Sequence, residues 1–137
     1  MKIYLTTDTH FKHANIIEFC NRPVGYEELI FKGFNDLKED DILIHLGDVA
    51  WGNVRDCHER YIKPLKCKKW LAKGNHDNKS YNWYLDDGWD FVAESFTLKY
   101  LGKTILFSHK LIDITSMDVD YNIHGRFHNL PKSLLKI

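Results

Sequence analysis

The sequence has few cysteines, and none of them form a pair at the spacing of a metal-binding knuckle. Cys20, Cys57 and Cys67 make an odd count without a C-x-x-C motif. This pattern argues against a disulfide framework and against a cysteine-based zinc site. Thiols used in this way are typical of a reducing compartment, so we expect a cytoplasmic protein.

The chain also lacks long apolar runs and an excess of either charge. The N-terminal residues MKIYLTTDTH become polar too soon for a signal peptide, and no apolar run approaches the roughly 18 residues that span a bilayer. The 19 Lys and Arg residues balance the 19 Asp and Glu residues, so the net charge draws in neither nucleic acid nor an anionic membrane. We expect no membrane partner and do not favour nucleic acid, whereas the oligomeric state is left open.

Proline and glycine are scarce, and no internal repeat is present. With 3 Pro and 8 Gly in 137 residues, and 44% hydrophobic residues, the composition is that of a globular protein rather than a disordered or repetitive one. This length predicts one domain over residues 1–137.

Five short β-prone runs are present, and each stops at polar residues. They are residues 2–7, 41–46, 69–72, 104–107 and 121–123. Such runs, bounded by Asp, Asn, Gly or His, predict strands whose ends carry polar loops.

Helical patterns lie between these strands. Apolar residues at helical spacing predict a helix over residues 26–37, and weaker patterns predict helices over 55–62 and 80–85, the last with Ser80 as N-cap. Residues 91–100 and 104–107 predict a β-hairpin that turns at Gly102. The first half therefore predicts a βαβαβ order and the second half a more antiparallel one, in an α/β fold.

Polar clusters follow the predicted strands, where open α/β sheets usually bind their ligands. They are Asp8-Thr9-His10, Gly47-Asp48, Gly74-Asn75-His76-Asp77, Ser108-His109, and His124 with His128. Carboxylates, imidazoles and one amide oxygen, without a thiolate, favour a divalent cation: Mn first, with Fe, Zn, Ni or Mg as alternatives. Asp48 could bridge two cations, and a pair of cations is one arrangement that hydrolyses phosphate esters.

In order and at strand ends, these motifs resemble those of the calcineurin-like metallophosphoesterase superfamily. Its pattern is D-x-H, G-D, G-N-H-D/E, an isolated H and G-H-x-H, and four of these five motifs match. The start DTHFKHANII, followed by NRP, is similar to a small bacterial or phage subgroup. The resemblance covers nearly the whole chain and implies a layered α/β/β/α sandwich.

The resemblance also implies roles for individual residues. Asp8, His10 and His128 would hold the first metal, Asp48 would bridge, and Asn75 and His109 would hold the second. His76 would act as the acid, with Asp77 orienting its ring. The nucleophile would be a metal-activated hydroxide.

One position departs from the superfamily pattern. Arg126 stands where the first histidine of G-H-x-H would bind the second metal, and a guanidinium offers no lone pair to a cation. The second metal site would then be weakened or lost, and Arg126 could grip the substrate phosphate instead. His124 is a further candidate, although the histidine before this glycine is usually not a ligand.

Several further residues could lie at the edge of this site or in the core beside it. His13 and Asn15 could line the substrate pocket, although a surface position at the start of a helix is equally favoured. Trp51 could wall the pocket. His45, inside an apolar strand, is expected to be a core histidine, and His58 a surface residue of a helix.

Two functions from different classes follow from these residues. The first is a hydrolase of phosphate monoesters or diesters, acting on a small phosphoester or nucleotide. The second is a catalytically weakened phosphoester-binding protein with one metal site, in which Arg126 replaces a second-metal histidine. A nuclease is a third and less favoured interpretation, because the charge balance offers no basic groove.

Overall fold

The computed structural model of the chain describes residues 1–12 and 22–125. In these residues the strands are β1 (Ile3–Thr6), β2 (Ile42–His45), β3 (Lys68–Ala72), β4 (Phe91–Ala93), β5 (Ser95–Tyr100), β6 (Lys103–Ser108) and β7 (Tyr121–His124). The helices are α1 (Tyr26–Asn35), α2 (Val54–Cys57) and α3 (Tyr81–Asp86), and a π-helical turn at His58–Ile62 continues α2.

The strands form two sheets. The first is wholly parallel in the order β1-β2-β3-β4, and the second has the order β5-β6-β7. In the second sheet β5 and β6 are antiparallel, whereas β6 and β7 are parallel. The predicted change from a parallel first half to a more antiparallel second half is confirmed.

The core lies on both faces of the parallel sheet. On one face, Ile42 and Ile44 of β2 pack with Ala72 of β3 against Phe107 of the second sheet. On the other face, Leu43 and Leu71 contact the layer formed by the helices and loops. Successive side chains of β2 thus alternate between the two layers, as strand geometry requires, and the predicted α/β sandwich is confirmed.

The predicted helices and hairpin are present. Ser80 caps α3 by accepting a hydrogen bond from the Trp83 N–H at 3.1 Å. The hairpin turns at Leu101 and Gly102, whose φ angles of 51° and 76° suit a tight two-residue turn. None of the described helices combines the length and apolar character needed to cross a membrane.

One predicted strand is divided in the structure. Residues 91–93 form β4 and pair with β3, whereas residues 95–100 form β5 and pair with β6 in the other sheet. Glu94 lies at the crossing point. The single strand expected over residues 91–100 is therefore wrong, because the chain passes from one sheet to the next without a turn signal.

Candidate metal centre

Loops at three strand ends bring carboxylate and imidazole groups into one buried cluster. Asp8 follows β1, Asp48 follows β2 and His109 follows β6. All three residues are buried, and one ligand atom from each lies within 4.8 Å of the others. The cluster therefore draws on both sheets.

His10 and Asn75 extend the cluster on either side of Asp48. Nε2 of His10 lies 3.3 Å from Oδ1 of Asp8 and 3.8 Å from Oδ2 of Asp48. Nε2 of His109 lies 3.0 Å from Oδ1 of Asn75 and 3.3 Å from Oδ2 of Asp48. The structure thus places these five predicted ligands together, with Asp48 between the two halves.

The donor atoms of this cluster fit a divalent cation. Oδ2 of Asp48 is buried and receives no hydrogen bond from the described residues, yet it lies near the Nε2 atoms of two histidines. Nδ1 of His109 lies 2.7 Å from the carbonyl oxygen of Leu46. When Nδ1 donates to that carbonyl, the Nε2 lone pair of a neutral His109 points into the cluster, as in most metal-binding histidines.

The cluster stabilises positive charge. Burial would lower the pKa of His109, but its contacts with Asp48 and the Leu46 carbonyl raise the pKa to about 9. Burial would raise the pKa of Asp48, but His109 and the backbone N–H of His76 bring it below the ordinary value of 3.8. A site with this balance of charge favours a cation.

The loops that carry the ligands are locally strained. Asp8, His10 and Asp48 have φ angles of 53°, 48° and 58°, in the left-handed region that few residues with side chains adopt. Backbone hydrogen bonds join the two loops, from Asp8 N–H to the Gly47 carbonyl and from His10 N–H to the Asp48 carbonyl. Strain of this kind is typical of functional sites held by the surrounding structure.

The glycines before Asp48 and Asn75 allow the loops to approach closely. A Cβ atom on Gly74 would lie 2.3 Å from Oδ1 of Asp48, and one on Gly47 would lie 2.6 Å from Nδ1 of His109. Any larger residue at either position would force Asp48 or His109 to move. The lack of room for a Cβ atom therefore explains why the G-D and G-N-H-D motifs have glycine at these two positions.

Arg22 and Tyr26 hold the loop after β1. Arg22 belongs to the NRP segment noted in the sequence, but neither residue was predicted to have this role. The Arg22 guanidinium donates to the carbonyl oxygens of Asp8 and of Thr9, the latter at 2.7 Å. The Tyr26 hydroxyl donates to the carbonyl of His10. In this loop the left-handed backbone prevents these carbonyls from joining the hydrogen bonds of the sheet, and the two side chains supply donors for them instead.

Asp77 contacts the backbone rather than the His76 ring. Its carboxylate accepts hydrogen bonds from the backbone N–H groups of Asp48, Val49 and Gly74, at 2.8, 3.0 and 2.7 Å. Both of its oxygens are therefore occupied. The expected pairing of Asp77 with the His76 ring is corrected to this pairing with two ligand-bearing loops.

His76 lies at the open side of the cluster. Its backbone N–H donates to Oδ1 of Asp48 at 3.0 Å. Its ring is exposed, with its centroid 6.3 Å from that of His10 and 4.4 Å from that of Trp51. Trp51 does wall a pocket, as expected.

Two cavities flank the cluster. One, of about 250 Å³, is lined by Trp51, Asn75 and His76, among others. The other, of about 320 Å³, is lined by Asn75, His109 and the two lysines Lys73 and Lys110, among others. Asn75 lines both cavities, so both adjoin the part of the cluster that contains His109.

His45 is a core histidine, as expected. Its Nδ1 accepts the Gly47 N–H at 3.0 Å, which leaves Nε2 as the protonated nitrogen, 2.9 Å from the Thr9 hydroxyl. Thr9 in turn donates to the Val49 carbonyl at 2.7 Å. This fully satisfied chain links the two ligand loops.

His58 differs from its expected surface position. Its ring is fully buried among the rings of Trp83, Tyr84 and Trp89. The burial depends on tertiary packing, because aromatic side chains of α3 and of the residues after it cover the face of the helical segment that carries His58. The pattern of that segment alone predicts this face to be exposed.

The remaining candidates are placed as follows. His13, Asn15, Arg126 and His128 lie outside the described residues. Nδ1 of His124 lies 2.8 Å from the carbonyl oxygen of Gly125.

Relatives of the chain have been found by sequence and by structure. An uncharacterized protein of Methanocaldococcus jannaschii is 31% identical over 134 residues, which cover 93% of this chain and 69% of the relative. The crystal structure of a protein of unknown function from Aquifex aeolicus matches with a TM-score of 0.70 and 32% identity, over 80% of this chain. The match spans only 61% of the Aquifex chain.

A family model agrees with the motifs and the geometry. The calcineurin-like phosphoesterase model matches residues 1–134, a range that includes every strand-end loop of the cluster. This chain therefore belongs to the calcineurin-like phosphoesterase family.

Proposed function

We propose that the chain is a metal-dependent phosphoesterase whose centre is the cluster around Asp48. The observation that carries this proposal is the buried convergence of Asp8, Asp48 and His109, with one oxygen of Asp48 left without a hydrogen bond from the described residues. Family membership supports the same reaction class.

We assign the ligands by their positions in the cluster. Asp8 and His10 would hold one cation, with His128 as a further proposed ligand, and Asn75 with His109 would hold a second. Asp48 would contact both, because its Oδ2 lies near a histidine from each half. Cations bound there would activate water and neutralise charge on the phosphate. Mn²⁺ is the first to test, given oxygen and imidazole donors.

The remaining residues would bind the substrate and move a proton. His76 would protonate the leaving oxygen, and its exposed ring and its backbone hydrogen bond to Asp48 support this role. Hydrolysis joins the oxygen of water to phosphorus and releases that leaving oxygen with the proton. Asp77 is a positioning residue, and Arg126, His13 and Asn15 are kept as proposed phosphate or substrate contacts.

Asp48→Asn tests this proposal directly. We expect loss of Mn²⁺ binding and at least a hundredfold loss of metal-dependent phosphoesterase activity, because the amide removes the charge shared by both halves of the cluster. The matched control is Asp118→Asn, an exposed carboxylate in the loop before β7. Calorimetric titration with Mn²⁺ and hydrolysis of bis(p-nitrophenyl) phosphate measure both effects.

The outcomes separate the two functions weighed from the sequence. Two bound cations with turnover would support the hydrolase, whereas a single cation without turnover would favour the phosphoester-binding protein with Arg126 as its anion contact. Full activity in Asp48→Asn would end the proposal.

The two cavities favour a diester over a monoester as substrate. A monoester has one organic arm, whereas the cavities open on both sides of Asn75. The cavity on the His109 side is lined by Lys110 and by the neighbouring pair Lys73 and Glu94, which suit a polar arm. We expect kcat/KM for bis(p-nitrophenyl) phosphate to exceed that for p-nitrophenyl phosphate, and the reverse order would contradict the assignment.

A further inference from the structure

We propose that the cavity beside His76 is a subsite for a leaving group that carries a flat heteroaromatic ring. The inference rests on the proposed phosphoesterase function and adds to it the chemical class of the departing group. Trp51 would bind the ring, and His76 would give its proton to the leaving oxygen of the same group.

The position of the cavity identifies the arm of the substrate that it would take. Asn75 and His76 form one wall, so a group bound there lies between the metal ligands and the proposed acid. The second cavity opens instead toward His109 and Lys110. The leaving oxygen must lie within reach of the acid, and the arm on the His76 side is therefore the one that departs.

The size of the cavity limits what fits. Its volume of about 250 Å³ is below the roughly 300–1,000 Å³ of sites that enclose a whole small molecule. A single ring system on a short linker suits this space better than a long acyl chain or a folded peptide.

The lining of the cavity selects among such groups. The lining includes the indole of Trp51 and the polar residues Asn75, Asn78 and Lys79. An aliphatic group would cover these polar groups without hydrogen bonding to them, which is costly. A heteroaromatic ring can stack on the indole through its face and form hydrogen bonds with the polar groups through its edge.

Trp51 is held in place for this role. Its backbone N–H donates to the carbonyl of Phe11 at 2.8 Å, next to the bridge between Phe11 and Ala50. The side chain remains 37% exposed, and its ring meets the His76 ring at 66°. The backbone is thus anchored to the loop that carries Asp8 and His10, while more than a third of the side chain surface is exposed.

The test compares two substrates with leaving alcohols of matched acidity. They are the methyl phosphate diesters of the 5′-hydroxyl of thymidine and of 1,2-dideoxyribose, which lacks the base, each assayed with Mn²⁺. Stacking on an aromatic side chain is expected to favour the thymidine ester in kcat/KM by about tenfold or more. The expected products are thymidine and methyl phosphate.

Two variants assign the preference to the indole. Trp51→Phe keeps an aromatic ring and should retain most of the ratio between the substrates, whereas Trp51→Leu keeps only apolar bulk and should bring the ratio near one. An equal loss on both substrates in Trp51→Leu would show that Trp51 acts only through His76, and would overturn the subsite. Thymidine 5′-phosphate as the main product would also overturn it.

A second readout does not depend on turnover. The indole N–H resonance of Trp51, identified by its loss in Trp51→Leu, should shift when thymidine is added and not when 1,2-dideoxyribose is added. If neither ester is hydrolysed, the proposed function fails, and this titration still decides the subsite. An unchanged Trp51 resonance would overturn it.

Discussion

Asp77 shows how a single carboxylate can fix the geometry of a neighbouring site. Its oxygens hold the backbone N–H groups at the start of the Asp48 loop and at Gly74. Burial raises the pKa of Asp77, while these three backbone N–H groups act in the opposite direction. The Asp48 and Asn75 loops are thereby held together from behind.

Asp77→Asn should weaken both folding and metal binding. The amide places an N–H group against at least one backbone N–H, so we expect a loss of about 1–3 kcal/mol in the free energy of unfolding. Mn²⁺ affinity should fall at the same time, because Asp48 loses its support. Chemical denaturation and calorimetric titration measure the two effects.

The matched control is Asp90→Asn, at a carboxylate that accepts the Lys69 N–H at 2.8 Å away from the cluster. This variant should lose stability and keep its metal affinity. An equal loss of affinity in both variants would show that Asp77 acts only on global stability.

Individual site residues differ in how far the sequence predicts them. Asp8 and Asp48 were predictable as neighbours because each follows a strand of the parallel sheet, whose strands deliver their ends to one edge. His109 was predictable only as a polar residue after a strand, because the packing of the second sheet brings it to this edge. The role of Asp77 was not predictable, because it depends on backbone N–H groups of a loop that is far away in the sequence. The burial of His58 likewise depends on aromatic side chains from α3 and beyond.

Within the secondary-structure elements and their loops, two glycines differ in how much room a side chain would have. Gly74, just after β3, leaves no room for a Cβ atom beside Asp48. At Gly33, inside α1, no described atom outside the backbone of that helix lies within 4 Å of the position that a Cβ atom would take. The same substitution should therefore have opposite effects at these two positions.

Gly33→Ala should stabilise the protein, and Gly74→Ala should destabilise it. Alanine in the exposed interior of α1 is expected to add about 0.5–1 kcal/mol by reducing the flexibility of the unfolded chain. At Gly74 the forced shift of the Asp48 loop should cost about 1–3 kcal/mol. Only Gly74→Ala should reduce Mn²⁺ affinity, as measured by titration, and a similar reduction in Gly33→Ala would contradict the local explanation.

Strands were predictable where the sequence pattern of a run agrees with its pairing in the sheet. The runs that became β1, β2 and β3 end at polar residues, and the structure places the strands within one or two residues of the expected bounds. The division of residues 91–100 at Glu94 was not predictable from alternation. Both halves favour a strand, and only the choice of neighbouring sheet separates them.

For the whole molecule, the packing of the two sheets creates the cluster. His109 comes from the end of β6 in the second sheet, and its Nδ1 contacts the Leu46 carbonyl just beyond β2 in the first. Phe107, two residues earlier, packs against Ile42 and Ile44 of β2. The core between the sheets and the candidate metal centre are therefore continuous.

Acid should destabilise the whole fold through two buried histidines. Burial lowers the pKa of His58 to about 4 and that of His45 to about 3, from an ordinary value of 6.5. The unfolded chain then binds protons that the folded chain does not, so their contribution is fully present above pH 6.5 and declines as the pH falls toward 4.

His58→Asn separates this effect from other titrations. Each such histidine should contribute a slope of about 1.4 kcal/mol per pH unit in this range. Asparagine removes the titration while keeping an amide donor for the Val54 carbonyl, which lies 2.9 Å from Nδ1 of His58. Urea denaturation of the metal-free protein from pH 7 to 4.5 should therefore show a shallower loss of stability in the variant. An unchanged slope would mean that the His58 ring takes up a proton without unfolding, which its fully buried aromatic surroundings oppose.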